Sequence, residues 1–329
     1  MRKAKRRIEI TRIITVVLAA VLLVSLALLF LNAWEKKRDK FPEMNFGETT
    51  VKYNGKEYAL KSGIETFLVI GLDKYESSDV GDSYINDQQA DFIMLLIFDN
   101  NAQTYTAMHI NRDTMTDINV LGVAGEKIRT VKQQIALAHT YGNGREVSCR
   151  NTADAVSKLL MGVKVTHYMS VKLDAVSVYN DLVGGVEVEV LDDFTGIDST
   201  LVKGEKVTLN SEQALTYVRT RYGLEDSSNQ ARMKRQKQYI DALREKTEQL
   251  IKDDDSFVVN ASLKMADYLV SDRSVTQLQE LMKKISQYEF TEFCDIEGEL
   301  KVGEKFMEFV PDEESIKKTV IDLFYDPKE

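Results

Sequence analysis

The chain has 329 residues, enough for one large domain or two ordinary ones, and 43% of them are apolar, enough for a sizeable core. With 43 Lys/Arg against 52 Asp/Glu it carries a net charge of −9, which argues against a general nucleic-acid binder. Two cysteines without a C-x-x-C and three histidines without ligand spacing argue against a thiolate or imidazole metal centre.

The amino terminus is unlike the rest. Residues 1–12, MRKAKRRIEITR, hold six Lys/Arg and one Glu, and nineteen residues without charge follow, Ile13 to Leu31. At ~1.5 Å per residue such a helix spans ~29 Å, which matches a hydrocarbon core of ~30 Å. A cleaved signal peptide would have a shorter apolar region of ~7–15 residues. The run therefore predicts a retained transmembrane helix over 13–34, with Trp34 at the interface. The basic tail biases residues 1–12 to the cytoplasm and everything beyond residue 34 to the outer face.

Residues 35–64 read as a polar stalk and a small hairpin, VKYNGKEYAL, turning at Asn54-Gly55. Residues 65–326 read as one α/β domain. TFLVIGLD, DFIMLLIFD and TYTAMHI are three buried strands. EKIRTVKQQIALAHTYG (126–142) and NTADAVSKLLMG (151–162) are expected as helices, the second capped by Asn151 or Thr152. HYMSVKL, DAVSVYNDLVGG and VEVEVL read as a strand-helix-strand crossover. Two further helices are expected at 272–290 and 314–325. His109, His139 and His167 sit in apolar runs and read as core histidines. Cys149 and Cys294 leave a disulfide and two buried thiols equally open.

The chain contains no P-loop, no G-x-S-x-G elbow and no H-E-x-x-H, so the candidate chemistry lies elsewhere. RTRYGLEDSSNQARMKRQ (219–236) concentrates four arginines and a lysine in an acidic domain. Asn210 and Gln213 form a capping pair for the preceding helix. If the next piece is extended, Arg219 and Arg221 share a side. Ser227, Ser228 and Asn229 are candidate caps of a helix from about 230 to 250. On it Arg232, Arg235, Gln236 and Tyr239 share one face, while Met233, Ile240, Leu243 and Leu250 take a core face. Converging arginines repel unless an anion sits among them, and a helix amino end attracts one. Arg112-Asp113 follows a strand end. Asp73 ends the first strand and Asp91 opens the second, where a pair of carboxylates can hold Mg²⁺ together with substrate phosphates. Two acids, an Arg-Asp pair and clustered arginines suit metal-assisted phosphoryl transfer.

With these residues assembled, the chain resembles the LytR-CpsA-Psr family of cell-wall glycopolymer ligases. The resemblance is carried by LVIGLD, QADFIMLLIFD, HINRDTM and ALTYVRTRY…ARMKRQ, in that order, within residues 65–326. It implies a single extracellular α/β catalytic domain with a central mixed sheet flanked by helices and a hydrophobic polyprenyl pocket. It also implies transfer of a glycopolymer, of teichoic acid or capsular polysaccharide type, from a polyprenyl-pyrophosphate carrier to peptidoglycan muramic acid, with release of polyprenyl phosphate. By the same resemblance Asp73 and Asp91 hold Mg²⁺, Arg112 is catalytic and Asp113 orients it. Arg219, Arg221, Arg232 and Gln236 bind pyrophosphate with Arg235 close by. The implied location is the membrane of a Gram-positive cell, with peptidoglycan and the lipid-linked polymer as partners and no nucleic acid. Four stretches depart from the family pattern: Asn111 for a proline, Gln89-Ala90 for Arg-Ser, Phe92 for threonine, and Asn229-Gln230-Ala231 for acid-x-Gly.

Two other readings compete. One is a membrane-anchored transcriptional regulator or attenuator contacting nucleic acid through ARMKRQKQYIDALREK. That would require the basic stretch to be cytoplasmic, against the charge bias. The other is a non-catalytic lipid- or glycan-binding surface protein.

Overall fold

Strands Ile64–Leu72 (β3) and Ala90–Asp99 (β4) are apolar on both faces, so each can only sit inside a sheet covered on both sides. In the computed structural model, which describes residues 50–73, 86–254, 256–304 and 306–328, they form its centre. The expected cytoplasmic tail, transmembrane helix and stalk up to residue 49 lie outside the described residues. Among those described, no helix is long and apolar enough to cross a membrane.

Two small strands, Thr50–Tyr53 (β1) and Lys56–Leu60 (β2), make the expected hairpin, with Asn54 at φ 50° and Gly55 at φ 78°. β4 pairs antiparallel with β3 and with Thr104–His109 (β5). His167–Lys172 (β8) lies parallel to β3, and Glu289–Asp295 (β12) parallel to β5. With Leu269–Ser271 (β11) the six strands run in the order β11-β8-β3-β4-β5-β12, a mixed sheet.

Alternation along β3 assigns its two faces. Leu68, Ile70 and Leu72 join Ile93, Leu95 and Ile97 against helices Glu146–Leu159 (α1) and Glu313–Phe324 (α7), through Val156, Leu160, Val320 and Phe324. Phe67 and Val69 face the other way with Phe98 and Tyr105, toward Leu278, Leu281 and Ile285 of a helix at Val275–Gln287. A third cluster lies between helices Ala175–Leu182 (α2), Ser211–Arg219 (α3) and Asn229–Asp253 (α4), around Val188, Phe194 and Tyr217.

Three expectations fail, each where a specific partner outweighs the periodic pattern. Residues 126–142 are not a helix. Lys127–Gln134 (β7) is a strand paired with Met115–Leu121 (β6), and only Ile135–Thr140 turns, as a 3-10 helix. Its β-branched Ile128, Thr130 and Val131 suit that hairpin. The helix expected from Asn151 starts five residues earlier, because Asn143 Oδ1 accepts the N–H groups of Arg145 and Val147 and organises the lead-in. Asn151 is buried instead, donating to the carbonyls of Asn119 and Ala138. VEVEVL does not return to the main sheet. Val186–Glu189 (β9) pairs antiparallel with Lys206–Leu209 (β10), keeping Glu187 and Glu189 exposed, as a central parallel strand would not allow. Cys149 and Cys294 are free thiols, both pushed up to about 12 by burial.

Candidate active site

The site forms where β3 ends, β4 begins and the chain leaves β5. Gly71 pairs with Phe92 and Leu72 with Ala90, which leaves Asp91 as the extra residue of a bulge. A bulge re-aims the side chain it frees, and here it brings the Asp91 carboxylate to two guanidinium groups. It accepts from Nη1 of Arg112 and stands 3.7 Å from Nη1 of Arg232. Asp73 follows β3 directly. Its Oδ1 lies 2.8 Å from Nη2 of Arg219 but outside hydrogen-bonding geometry, so among the described residues this buried oxygen has an ion-pair partner and no hydrogen bond.

Past β5 the chain turns sharply. Asn111 Oδ1 accepts the Asp113 N–H at 2.9 Å and the Asn111 carbonyl accepts the Thr114 N–H at 3.0 Å. The turn is tied to its surroundings from behind, since the carbonyl of Arg112 accepts from Ala136 and that of Asp113 from Phe309. Arg112 aims its fork at separate acceptors: Nη1 at Asp91, Nη2 at Gln89 Oε1, with Nε 3.7 Å from Asp113 Oδ1. Asp113 Oδ1 also accepts from Gln134 Nε2 at 3.1 Å. Burial raises the Asp113 carboxyl above the usual range, against the pull of Arg112, Arg221 and Arg232. Asp113 thus backs Arg112 and does not line the cleft.

α3 begins with the expected capping box of Asn210 and Gln213 and ends at Arg219, after which Thr220 is extended. Arg219 is therefore the last helical residue, and both it and Arg221 reach the cleft. The next helix, α4, is capped by Ser228, whose Oγ accepts the Ala231 N–H at 3.1 Å. Arg232, in its first turn, is buried. Burial, opposed by Asp91 and reinforced by Arg221 and Arg112, brings its guanidinium down to about 10.

Arg235 departs from expectation. Its side chain is 0% exposed and it lies outside the cleft. Nε donates to the Tyr217 carbonyl at 2.9 Å, and the two Nη groups bond Asp192 and the Thr220 carbonyl. These are orphan carbonyls at the end of α3, so Arg235 secures the segment that carries Arg219 and Arg221. It belongs to the support of the site. Gln236 donates to the Val218 carbonyl at 3.1 Å and lines the cleft.

Together Asp73, Asp91, Arg112, Arg219, Arg221, Arg232 and Gln236 surround a cleft of about 440 Å³. A second, apolar cavity of about 550 Å³ lies between the sheet and the helices, and the two share Gly71, Phe92, Leu173, Val218 and Gln236 as lining. Phe92 packs on His109 at 4.9 Å between ring centroids, and a Cβ at Gly71 would meet the Phe92 Cβ at 2.8 Å. Glycine across the strand pair therefore makes room for the aromatic ring. Ile240 and Leu243 of α4 pack against the core as expected and also line this cavity.

Among the described residues, no group of three or more His, Cys, Asp or Glu converges as a metal cage. Mg²⁺ needs only one or two carboxylates when phosphates complete its shell. Asp73 and Asp91 share the cleft, and Asp73 Oδ1 accepts no hydrogen bond among the described residues, so the donor set fits that ion. Several contributors escaped the linear reading. Gln134 lies on the strand taken for a helix, and exposed Tyr222, beside Arg221 at 5.4 Å, carried no spacing signal.

Known proteins are similar to this chain in fold and, at about a quarter of aligned positions, in sequence. The polyisoprenyl-teichoic acid–peptidoglycan teichoic acid transferase TagU of Enterococcus faecalis is 25% identical over 244 residues, 71% of each chain. The protein of the same name from Halalkalibacterium halodurans is 27% identical over 179 residues, covering 54% of this chain and 51% of its own. The crystal structure of B. subtilis TagV superposes with a TM-score of 0.61 at 22% identity, covering 80% of this chain and 97% of TagV, a likeness of fold. The model of the LytR_cpsA_psr family matches residues 32–321, nearly the whole chain, and the chain belongs to the LytR-CpsA-Psr family.

Proposed function

We propose that this chain is a phosphotransferase that moves a glycopolymer from a polyprenyl-pyrophosphate carrier to a peptidoglycan muramic acid hydroxyl. The observation that carries this reading is that the two cavities share a wall. An arginine-lined cleft suits a pyrophosphate, and an apolar cavity sharing its wall suits the attached lipid. The relatives named as teichoic acid transferases support a polymer of that class as cargo.

In this reading the acceptor hydroxyl oxygen bonds to the sugar-side phosphorus, the bridging P–O bond breaks with its oxygen leaving on polyprenyl phosphate, and the hydroxyl proton passes to that phosphate or to solvent. Arg112, braced by Asp91, Gln89 and Asp113, faces the charge that grows on the leaving group, and preorganised donors act most strongly on such developing charge. Arg219, Arg221, Arg232 and Gln236 hold the resting pyrophosphate. Asp73 and Asp91 would hold Mg²⁺, whose chemistry there is neutralisation of phosphate charge. The amino-terminal run would anchor the domain on the outer face of the membrane, where lipid carrier and peptidoglycan meet.

The test is turnover of a synthetic polyprenyl-pyrophosphate sugar by the full-length chain with a peptidoglycan acceptor. Release of polyprenyl phosphate with a new phosphodiester is the expected result. Tight binding without turnover would favour a non-catalytic lipid- or glycan-binding protein.

A further inference from the structure

Arg232 is held from two sides. On one it faces Asp91, with Nη2 3.3 Å from the Asp91 carbonyl. On the other, Nη2 donates to Asn229 Oδ1 at 2.7 Å, and Asn229 Nδ2 donates to Asn111 Oδ1 at 2.8 Å. That same oxygen accepts the Asp113 N–H at 2.9 Å. The three side chains thus link the turn that carries Arg112 to the first turn of α4, across 118 positions of sequence.

The two ends of this relay dictate its direction. A backbone N–H and a guanidinium only donate, so each must meet an oxygen. Asn111 therefore presents Oδ1 to Asp113, and its other lone pair calls for a donor from Asn229. Asn229 turns its amide nitrogen to Asn111 and keeps its oxygen for Arg232. Flipping either amide would set two donors or two acceptors against each other. Asn111 and Asn229 are each 7% exposed and Arg232 6%, so water has little access to replace a lost partner. Neither asparagine lines the cleft.

We infer that Asn111 and Asn229 are positioning residues, a neutral relay that aligns the Arg232 guanidinium with the Arg112 turn so that both cations meet one bound pyrophosphate. The inference rests on the pyrophosphate reading of the cleft. Neutrality is part of the device. A carboxylate at 229 would also accept from Arg232, but would offset charge that Asp91 already offsets.

The experiment is calorimetric titration of inorganic pyrophosphate into the full-length chain. Asn111→Ala, Asn229→Ala and the double variant are each made with Arg232 present and with Arg232→Ala. Each single variant should weaken binding about tenfold, and the double variant little more than the weaker single, since residues in one network do not add. In the Arg232→Ala background Asn229→Ala should be silent, an outcome that a general loss of structure would not produce, while Asn111→Ala should keep only the part of its loss that acts through the Asp113 N–H and the Arg112 turn. Asn229→Leu, which keeps the branched shape without a polar atom, reads the same coupling if the alanine variants fail to fold. Wild-type affinity in Asn229→Ala, or an equal loss in both backgrounds, overturns the relay alone. A wild-type chain that does not bind pyrophosphate overturns the relay and the proposed function together.

Discussion

Asp91 is the carboxylate on which the arginine cluster depends, and Asp91→Asn isolates its charge from its shape. Two guanidinium groups converge on it: Arg112, whose side chain is 12% exposed, and Arg232, 7% exposed. At 3.7 Å and an effective dielectric of about 20, the Arg232 attraction alone is roughly 4 kcal/mol before desolvation. Breaking a buried pair by removing one partner costs about 3–5 kcal/mol, and Asp91 is partly solvated, so we expect about 3 kcal/mol. For a domain of this size that corresponds to a melting temperature lower by roughly 6–12 °C. Inorganic pyrophosphate should return much of the loss, because it supplies the missing negative charge and binds the variant more tightly. At equal ligand concentration the variant should then gain more than the wild type. Asp73→Asn is the control. Its partner Arg219 has a half-exposed side chain, and exposed pairs are worth about 0–1 kcal/mol. Thermal denaturation with and without pyrophosphate reads all of this. If unliganded Asp91→Asn melts within about 2 °C of wild type, or pyrophosphate stabilises both chains equally, the two arginines are not held by this carboxylate.

Three further outcomes follow from the same geometry. Arg112→Lys keeps the charge but cannot serve Asp91, Gln89 and Asp113 at once, so turnover should fall ~10²-fold or more with little change in donor affinity, which steady-state kinetics separates. Arg235→Met should cost about 3–5 kcal/mol in denaturant unfolding, and adding Asp192→Leu should recover part of it, because an apolar replacement of both partners removes the stranded charge. Stability should also fall with acid. Burial holds His109 down to about 3, with Arg232 and Lys237 adding to it, and holds His139 at about 4 against its bond to the Gln88 carbonyl. Below the ordinary histidine value of about 6.5 the unfolded chain binds protons that the fold refuses, so stability is complete above that pH and declines below it. At pH 5 the loss is roughly 2 kcal/mol per histidine, and His139→Gln should flatten the melting profile between pH 7 and pH 5.

What the sequence determined alone lies where the deciding partners are a few residues apart. Asn54-Gly55 makes its hairpin because those two residues tolerate positive φ. Asn210 and Gln213 exchange both bonds of the capping box within one turn. The apolar runs 64–72 and 90–99 had to be central strands, since neither has a face to offer water. The residues around the cleft were legible too, because strand ends and a helix start put them in place locally.

What only the tertiary structure decided depends on partners far along the chain. Residues 127–134 follow the strand they pair with, although their composition suits a helix as well. On α4 the polar face, Arg232, Arg235 and Gln236, is the buried one, while Ile240 and Leu243 border a cavity. Periodicity ranks faces by hydrophobicity, and beside the site a polar face is buried for its hydrogen bonds while the apolar one both packs and borders a cavity. Arg235 left the site because Asp192, 43 positions away, and the open carbonyls of α3 hold it inside. Asn111 and Asn229 were two unrelated departures from a family pattern until folding set one amide against the other, since a hydrogen bond between them exists only in three dimensions.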